Sequence, residues 1–206
     1  MKYTFIDHTQ IDLVRYLFSY DKTMVGVELS DEELEIRLER IRNRLEQGTL
    51  EVVIILDDDN NPYAMYTGMY IKKIAGWYVG ATKIYKSANH YNQSAKLMAP
   101  GLDLLISKME SQGLYKFWMA APVWQHNIRN KIMVKYSPML ARYDWFDECL
   151  IPKNERTSVE AFEAYRYTCD WSDIMMRMFV LRQEYRETLV LNKYEEHIKS
   201  LEQPRA

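Results

Sequence analysis

The chain has 206 residues, of which 48% are hydrophobic and 27% are charged, and its formal net charge is -2. This length suits one domain with a sizeable core, and the composition is typical of a globular protein rather than a disordered one. The near-neutral charge argues against a nucleic-acid partner. Two cysteines argue against a disulfide framework or a four-cysteine zinc site. Neither a signal sequence nor a membrane-spanning run is visible, so we expect a cytoplasmic protein.

The first half of the chain predicts one strand, two helices and three strands joined by turns. The second helix has the clearest signals, because Ser30 and Glu33 form a capping-box pattern and Gly48 stands where a left-handed residue ends a helix. The first helix is expected to be capped by Thr9 together with Asp12. The predicted strands are 3–6, 49–56, 63–74 and 77–85, and the predicted first helix is 7–20.

Residues 57–62 read Asp-Asp-Asp-Asn-Asn-Pro, which invites a metal-binding interpretation. The regular ligand spacing of a calcium loop and its distal glutamate are absent. Asp, Asn and Pro are also the residues that tight turns prefer. The segment is therefore predicted to be a hairpin turn, and no metal site is expected.

The second half of the chain alternates helices and strands. After a helix that ends near Gly113, the predicted elements are a strand at 114–121, a helix at 127–136, a strand at 143–151, a short helix at 157–165 and a terminal helix at 187–201. The segment 174–184 is ambiguous. Its apolar and β-branched residues suit a strand, whereas Ile174, Met178 and Leu181 also share a helical stripe.

This order of elements predicts an α+β fold: a mostly antiparallel sheet with flanking helices and a C-terminal helical extension. Over residues 1–184 the order resembles that of the GCN5-related N-acetyltransferase (GNAT) superfamily, and residues 185–206 would form the extension. Residues 104–118 resemble the family's central helix running into its fifth strand, and residues 127–136 resemble the asparagine-led helix that follows. Small acetyltransferase-like proteins of tailed phages have a similarly eroded pattern, which suggests a phage origin.

The resemblance implies a loop that binds the pyrophosphate of acetyl-CoA at the start of the central helix. In the family this loop reads Gln/Arg-x-x-Gly-x-Gly/Ala, and its small residues let backbone amides approach the phosphates. The loop fits residues 96–101, where Lys96, Ala99 and Gly101 take the basic and small positions and a proline stands near the helix start. It also fits residues 93–98, but long side chains would then crowd the phosphates. The first placement is chemically better.

The resemblance also implies the catalytic groups. In the family a tyrosine after the central helices protonates the leaving thiolate, while a base or a water chain removes the proton of the amine. The matching position falls on Val134, and Tyr136 lies two residues further on. Tyr136 is therefore the candidate acid, and Glu51 and His126 are the candidate bases.

Two functions follow as hypotheses. The first is an acetyl-CoA-dependent N-acetyltransferase that acts on an amine, either a small molecule, a peptide N-terminus or a lysine. The second is a non-catalytic GNAT-fold scaffold or interaction protein, for example a subunit of a phage virion or of a phage–host contact. A protein partner, a homo-oligomer or a larger assembly is compatible with either hypothesis, and fold alone does not decide between them.

Overall fold

The computed structural model describes residues 1–20, 23–24, 27–71, 76–83, 91–122, 131, 133–152 and 173–202. The chain forms a seven-stranded main sheet with the strands β1 (Lys2–Ile6), β4 (Leu50–Leu56), β5 (Pro62–Ile71), β6 (Gly76–Lys83), β7 (Lys116–Pro122), β8 (Tyr143–Pro152) and β9 (Asp173–Leu181). A small hairpin consists of β2 (Thr23–Met24) and β3 (Val27–Glu28). The helices are α1 (Ile11–Tyr20), α2 (Asp31–Glu46), α3 (Tyr91–Ser111) and α4 (Gln183–Glu202).

The strand order across the sheet is β1-β4-β5-β6-β7-β9-β8. All neighbours are antiparallel except β6 and β7, which are parallel and are joined by the crossover that contains α3. This confirms the predicted α+β fold with a mostly antiparallel sheet. It also decides the ambiguous segment at 174–184 in favour of a strand, because β9 is buried between β7 and β8 and pairs with both.

The sheet separates two apolar cores, since successive side chains of a strand point to opposite faces. On one face α1 and α2 cover β1, β4 and β5, with Val52 and Ile54 wholly buried. On the other face α3 lies across the centre of the sheet, over Val53, Ile55 and Phe117. Strand β4 is therefore covered on both sides, in agreement with the apolar run from Val52 to Leu56.

The start of α2 has the predicted capping box, in which the Ser30 hydroxyl accepts from the amide of Glu33 and the Glu33 carboxylate accepts from the amide of Ser30. Gly48 ends the helix region with a φ of 66°, as predicted. The predicted cap of the first helix was wrong. The cap is instead Asp7, at the start of a 3-10 helix (His8–Gln10) that leads into α1: its carboxylate accepts from the amide of Thr9, while the Gln10 side chain accepts from the amide of Asp7.

The aspartate run forms the predicted turn of the β4–β5 hairpin. The carboxylate of Asp57 accepts from the amides of Asp59 and Asn61 at 3.0 and 2.8 Å, which closes the turn locally. Asp58 instead forms an ion pair with the amino group of Met1 at 2.8 Å. Within the described part of the chain, no group of three or more His, Cys, Asp or Glu side chains is arranged to hold a metal ion.

Other predicted elements are confirmed with small shifts in their ends, including the strands of the meander and the terminal helix. The predicted short helix at 157–165 lies outside the described residues. Among the helices that the structure describes, none combines the length and the apolar sequence that crossing a bilayer requires. The division into a domain of residues 1–184 and an extension of residues 185–206 stays a prediction.

Candidate functional site

The parallel strands β6 and β7 separate soon after they meet. Only two rows are in register, Trp77 with Phe117 and Tyr78 with Trp118. Strand β6 continues to Lys83 and β7 continues to Pro122, and no further pair joins them in these two fully described strands. Beyond these rows the facing backbone edges of the two strands are not paired with each other, and we call this opening the β6–β7 gap: residues 79–83 on one side and 119–122 on the other.

Helix α3 begins at the open end of this gap. Contacts along the helix fix its direction: a Cβ on Gly101 would stand 3.2 Å from Ile55, and a Cβ on Gly68 would stand 2.9 Å from Leu105. Ile55 is paired with Ala64, which is in turn paired with Lys83 at the end of β6. Gly68 is paired with Val79, near the closed end of the gap. The N-terminus of α3 therefore points beyond the end of β6.

The structure corrects the predicted cofactor loop. Lys96, Ala99 and Gly101 lie inside α3, because the helix begins at Tyr91 rather than near Gly101. Ala99 is wholly buried, and Gly101 allows α3 to approach the side chains of Ile55 and Tyr66 within van der Waals contact. The small residues at these positions thus serve helix–sheet packing.

The alternative placement at residues 93–98 lies within α3 as well. Lys96 is exposed on the outer side of the helix. The loop that connects β6 to α3 consists of residues 84–90, which lie outside the described part of the chain. The first four amides of a helix have no partner within it, so the free amides of α3 are those of residues 91–94.

Tyr136 is the last residue of a helical segment, of which residues 131 and 133–136 are described. Ser137 ends the segment and donates a hydrogen bond from its hydroxyl to the carboxylate of Asp103 in α3. The same carboxylate accepts from the amide of Met139 at 3.3 Å. Asp103 lies between Gly101 and Leu105, so the end of the segment is held against α3 between the levels of the open and the closed end of the gap.

Burial raises the pKa of Asp103, and the hydrogen bonds from Ser137 and Met139 oppose that rise. Tyr136 itself is half-buried, and the ammonium group of Lys135 stands 5.3 Å from the centre of its ring. Val134 packs against the core. Side chains of residues that are two positions apart on a helix differ in direction by about 200°. Tyr136 therefore does not point where a tyrosine at position 134 would point.

Glu51 lies on β4 on the face that α3 covers, and its carboxylate is 3.8 Å from the ammonium group of Lys108. It occupies the row of Gly68 and Val79, two strands away from the gap. Neighbouring strands are about 4.8 Å apart, and α3 lies between Glu51 and the segment of Tyr136. The structure therefore does not bring these two candidates together, and His126 lies outside the described residues.

Two tryptophans beside the gap were not identified as site residues from the sequence. Trp77 and Trp118 belong to the two paired rows at its closed end. Their indole Nε1 atoms are buried and have no hydrogen-bond partner among the described residues. A buried donor without a partner costs free energy, and aromatic residues in a strand are so common that their sequence gives no such signal.

A buried polar cluster holds the C-terminal end of α3 to the strands beyond the gap. Arg142 donates to both carboxylate oxygens of Glu110 at 2.7 Å, and the hydroxyl of Tyr143 donates to the same carboxylate at 2.9 Å. Glu110 is only 5% exposed. Burial, together with the neighbouring Glu110, raises the pKa of Tyr143 well above its usual value. The Glu110 carboxylate thus has partners on both oxygens, and the cluster ties α3 to the strand that begins at Tyr143.

No protein-family model and no curated protein matches the sequence. Solved structures match it well in shape. An aminoglycoside 6'-acetyltransferase of type Ii has a TM-score of 0.59 at 13% identity, covering 87% of this chain and 97% of its own. The ribosomal-protein-S5-alanine acetyltransferase from Vibrio fischeri has a TM-score of 0.58 at 14% identity, with coverages of 88% and 93%.

A mutant of the spermidine N-acetyltransferase from Vibrio cholerae has a TM-score of 0.56 at 12% identity, covering 90% of this chain and 97% of its own. Identities this low show a shared fold and leave the activity open. These names lend no support to a phage origin. Together with the strand order and the α3 crossover, they show that the chain has the fold of the GNAT acetyltransferases.

Proposed function

We propose that the protein is an N-acyltransferase that transfers the acetyl group of acetyl-CoA to an amine. The observation that carries this proposal is the β6–β7 gap. Paired strands normally continue their ladder, because an unpaired N–H or C=O that is shielded from water costs free energy. Here two strands leave their facing edges unpaired within the sheet, which is where the amide groups of a pantetheine arm would find partners.

The residues present fit acetyl-CoA at two places. Backbone groups of residues 79–83 and 119–122 would hold the pantetheine arm, and the free amides of residues 91–94 would hold the pyrophosphate, aided by the positive end of the α3 dipole. The indole N–H groups of Trp77 and Trp118 offer additional donors at the closed end. Acetyl-CoA supplies an activated thioester, which an unprotonated amine can attack directly.

Tyr136 is the residue that we propose to protonate the leaving thiolate. The hydrogen bond between Ser137 and Asp103 holds the end of its helical segment against α3, the helix that begins at the open end of the gap. A tyrosine hydroxyl placed next to the sulfur can donate its proton to the leaving thiolate as a general acid. Glu51 is held by Lys108 and is therefore a weak candidate for the base, whereas His126 remains a proposal on sequence grounds.

The substrate that we propose is an amine. The aminoglycoside, spermidine and ribosomal-protein acetyltransferases of similar shape are named for amine-bearing substrates. The chain is slightly acidic overall, which does not repel a cationic amine. We accordingly propose a cytoplasmic enzyme with a small amine or a protein amine as its acceptor.

Calorimetry with acetyl-CoA and with CoA tests this proposal most simply. We expect both ligands to bind, and we expect CoA thiol to be released when an amine such as spermidine or a peptide with a free N-terminus is added to the acetyl-CoA complex. Replacing Tyr136→Phe should lower kcat by about a hundredfold while acetyl-CoA still binds. Tyr70→Phe, on an exposed part of β5, is the matched control and should change neither value.

The competing hypothesis is a non-catalytic protein that keeps the fold as a scaffold. Val134 favours it, because a packed valine stands where the family has its tyrosine. Absence of binding at millimolar acetyl-CoA and CoA would support the scaffold and end the enzyme proposal. A third outcome is that acetyl-CoA binds but no CoA thiol is released when amines are added. That result would support a protein that senses or stores the cofactor.

A further inference from the structure

Helix α4 has two apolar sides, and only one of them is covered. Tyr185 and Leu189 pack against the main core. Val190 and Leu191, on the other side, are 56% and 62% exposed. Successive residues of a helix differ in direction by about 100°, so these two pairs face roughly opposite ways.

The outer side of α4 borders a groove on the sheet. The groove is formed with Asp144 and Phe146 of β8 and Val180 of β9, and Val190 and Leu191 line its other wall. Phe146 is 50% exposed. These three apolar side chains, Phe146, Val190 and Leu191, account for half of the large hydrophobic residues that are exposed in the described part of the chain. Concentrated exposure of this kind marks an interaction surface.

The strand beside the groove is also an open edge. Strand β8 is the last strand of the sheet, it is ten residues long, and its outer edge is unpaired within the described residues. Long edge strands with exposed apolar side chains associate with other chains unless they are covered. The groove lies at the end of β8 that begins with Tyr143, so it is remote from the strand end at Pro152 that faces the open end of the β6–β7 gap.

Two charges at the groove are self-complementary. Arg186 and Glu187 are adjacent and exposed. Arg186 contacts the ring of Tyr115 and the carbonyl of Leu181, and Glu187 accepts from Gln183. Neither charge has a partner of opposite sign in the part of the chain that is described. By contrast, nearby Arg182 approaches both Asp144 and Glu184 within 3.8 Å.

We infer that a second copy of this chain covers the groove, with the outer side of α4 and the exposed face of β8 forming a twofold-symmetric interface. In a twofold-symmetric dimer the same surface of each copy forms the interface. For an ion pair to form across it, that surface must carry both a positive and a negative residue. Arg186 and Glu187 satisfy this condition, since the axis brings the arginine of one copy to the glutamate of the other. A partner of a single charge sign would match only one of them.

The oligomeric state of the full chain tests this inference, measured by sedimentation equilibrium over a wide range of protein concentration. The expected wild-type species is a dimer. Leu191→Glu and Phe146→Glu should each raise the dimer dissociation constant by at least about thirtyfold, because each buries a carboxylate in an apolar interface. Ile36→Glu is the matched control, since Ile36 is 50% exposed on α2, and it should leave the dimer unchanged.

Charge reversal makes the test specific. Arg186→Glu and Glu187→Arg should each weaken the dimer by about tenfold through like-charge contacts, and the double variant should restore it. Both positions are exposed, so folding is preserved, and circular dichroism checks that it is. A wild-type chain that stays monomeric, assembles beyond two copies, or dimerises equally well as Leu191→Glu would overturn the inference, as would a double variant that fails to recover.

Discussion

Two neighbouring strand pairs in the same sheet behave differently. Strands β5 and β6 are antiparallel and stay paired along the whole of β6, from Lys83 opposite Ala64 to Gly76 opposite Ile71. Strands β6 and β7 are parallel and stay paired over two rows only. The same strand β6 thus has one satisfied edge and one open edge, so the opening results from the way β7 joins the sheet.

The comparison shows that the gap is a feature of the long-range connection. Strands β5 and β6 are only four residues apart in the sequence, so their antiparallel register is set over a short separation. The position of β7, by contrast, depends on the α3 crossover and on its other neighbour β9, with which it is paired from Lys116 to Pro122. Aromatic packing fixes β7 to the strands on its far side from the gap: Phe117 stacks on Phe179 of β9 with ring centres 4.9 Å apart and contacts Tyr143 of β8 at 5.2 Å.

The largest effect is expected at Phe117 of β7, which lies in one of the two rows paired with β6. Phe117→Ala removes a wholly buried ring that packs against Phe179 and Tyr143, so it should lower the free energy of unfolding by about 3–5 kcal/mol. Denaturant unfolding measures this change. Tyr70→Ala, at an exposed position on β5, is the control and should cost less than about 0.5 kcal/mol. Equal losses for the two variants would mean that the Phe117 ring does not anchor β7 in the core.

A smaller loss is expected at Gly68, which lies under α3 near the closed end of the gap. A Cβ there would stand 2.9 Å from both Leu105 and the ring of Trp77. Gly68→Ala should therefore destabilise the fold by about 1–3 kcal/mol through overpacking. Gly101→Ala meets its neighbours at 3.2 Å and should cost less than Gly68→Ala in the same thermal unfolding experiment. A larger loss of stability for Gly101→Ala than for Gly68→Ala would contradict the described position of α3 on the sheet.

Pro100 gives a prediction of opposite sign. A proline inside a helix leaves one carbonyl without its donor, and here it lies well inside α3 at an exposed position. Pro100→Ala should raise the free energy of unfolding by about 1–2 kcal/mol, since the restored hydrogen bond outweighs the entropy gained by the unfolded chain. A loss of stability would instead indicate that the helix starts beside Pro100, which would revive the cofactor loop at residues 96–101.

The sequence predicts what local chemistry controls. The capping box at Ser30, the left-handed Gly48 and the Asp-rich turn were all confirmed, because each depends on residues a few positions apart. The start of α3 could not be predicted in this way. Pro100 and Gly101 are read as helix-start signals, whereas burial of Ala95, Met98 and Ala99 against the sheet extends the helix through them. Tertiary packing overrode local preference there.

The site is less predictable than the fold for the same reason. The separation of β6 from β7 depends on pairing between residues 77–78 and 117–118, about 40 positions apart, and no local pattern encodes where that ladder stops. The contact between Ser137 and Asp103 is equally remote in sequence. The position of Glu51 on a predicted strand made it a candidate base. Its ion pair with Lys108 of α3 is visible only in the structure.

The smallest effect is a pH dependence at Asp103. Burial raises its pKa above the usual 3.8, so ionisation is less favourable in the folded chain than in the unfolded one. Its contribution to stability is therefore complete below pH 3.8 and is lost as the pH rises through the folded pKa. Asp103→Asn keeps an acceptor for Ser137 and removes this loss. The difference in Tm between Asp103→Asn and the wild type should therefore increase as the pH rises. A difference that does not change with pH would contradict the raised pKa of Asp103.

Amide hydrogen exchange with and without acetyl-CoA tests the β6–β7 gap most directly. The account predicts that saturating acetyl-CoA slows exchange in residues 79–83 and 119–121, where the strand edges are open, and at residues 91–94 at the start of α3. Exchange in β4 and β5, which are paired on both sides, should change little. Binding that leaves the gap residues unprotected, or that protects residues elsewhere instead, would contradict the assignment of this gap as the cofactor site.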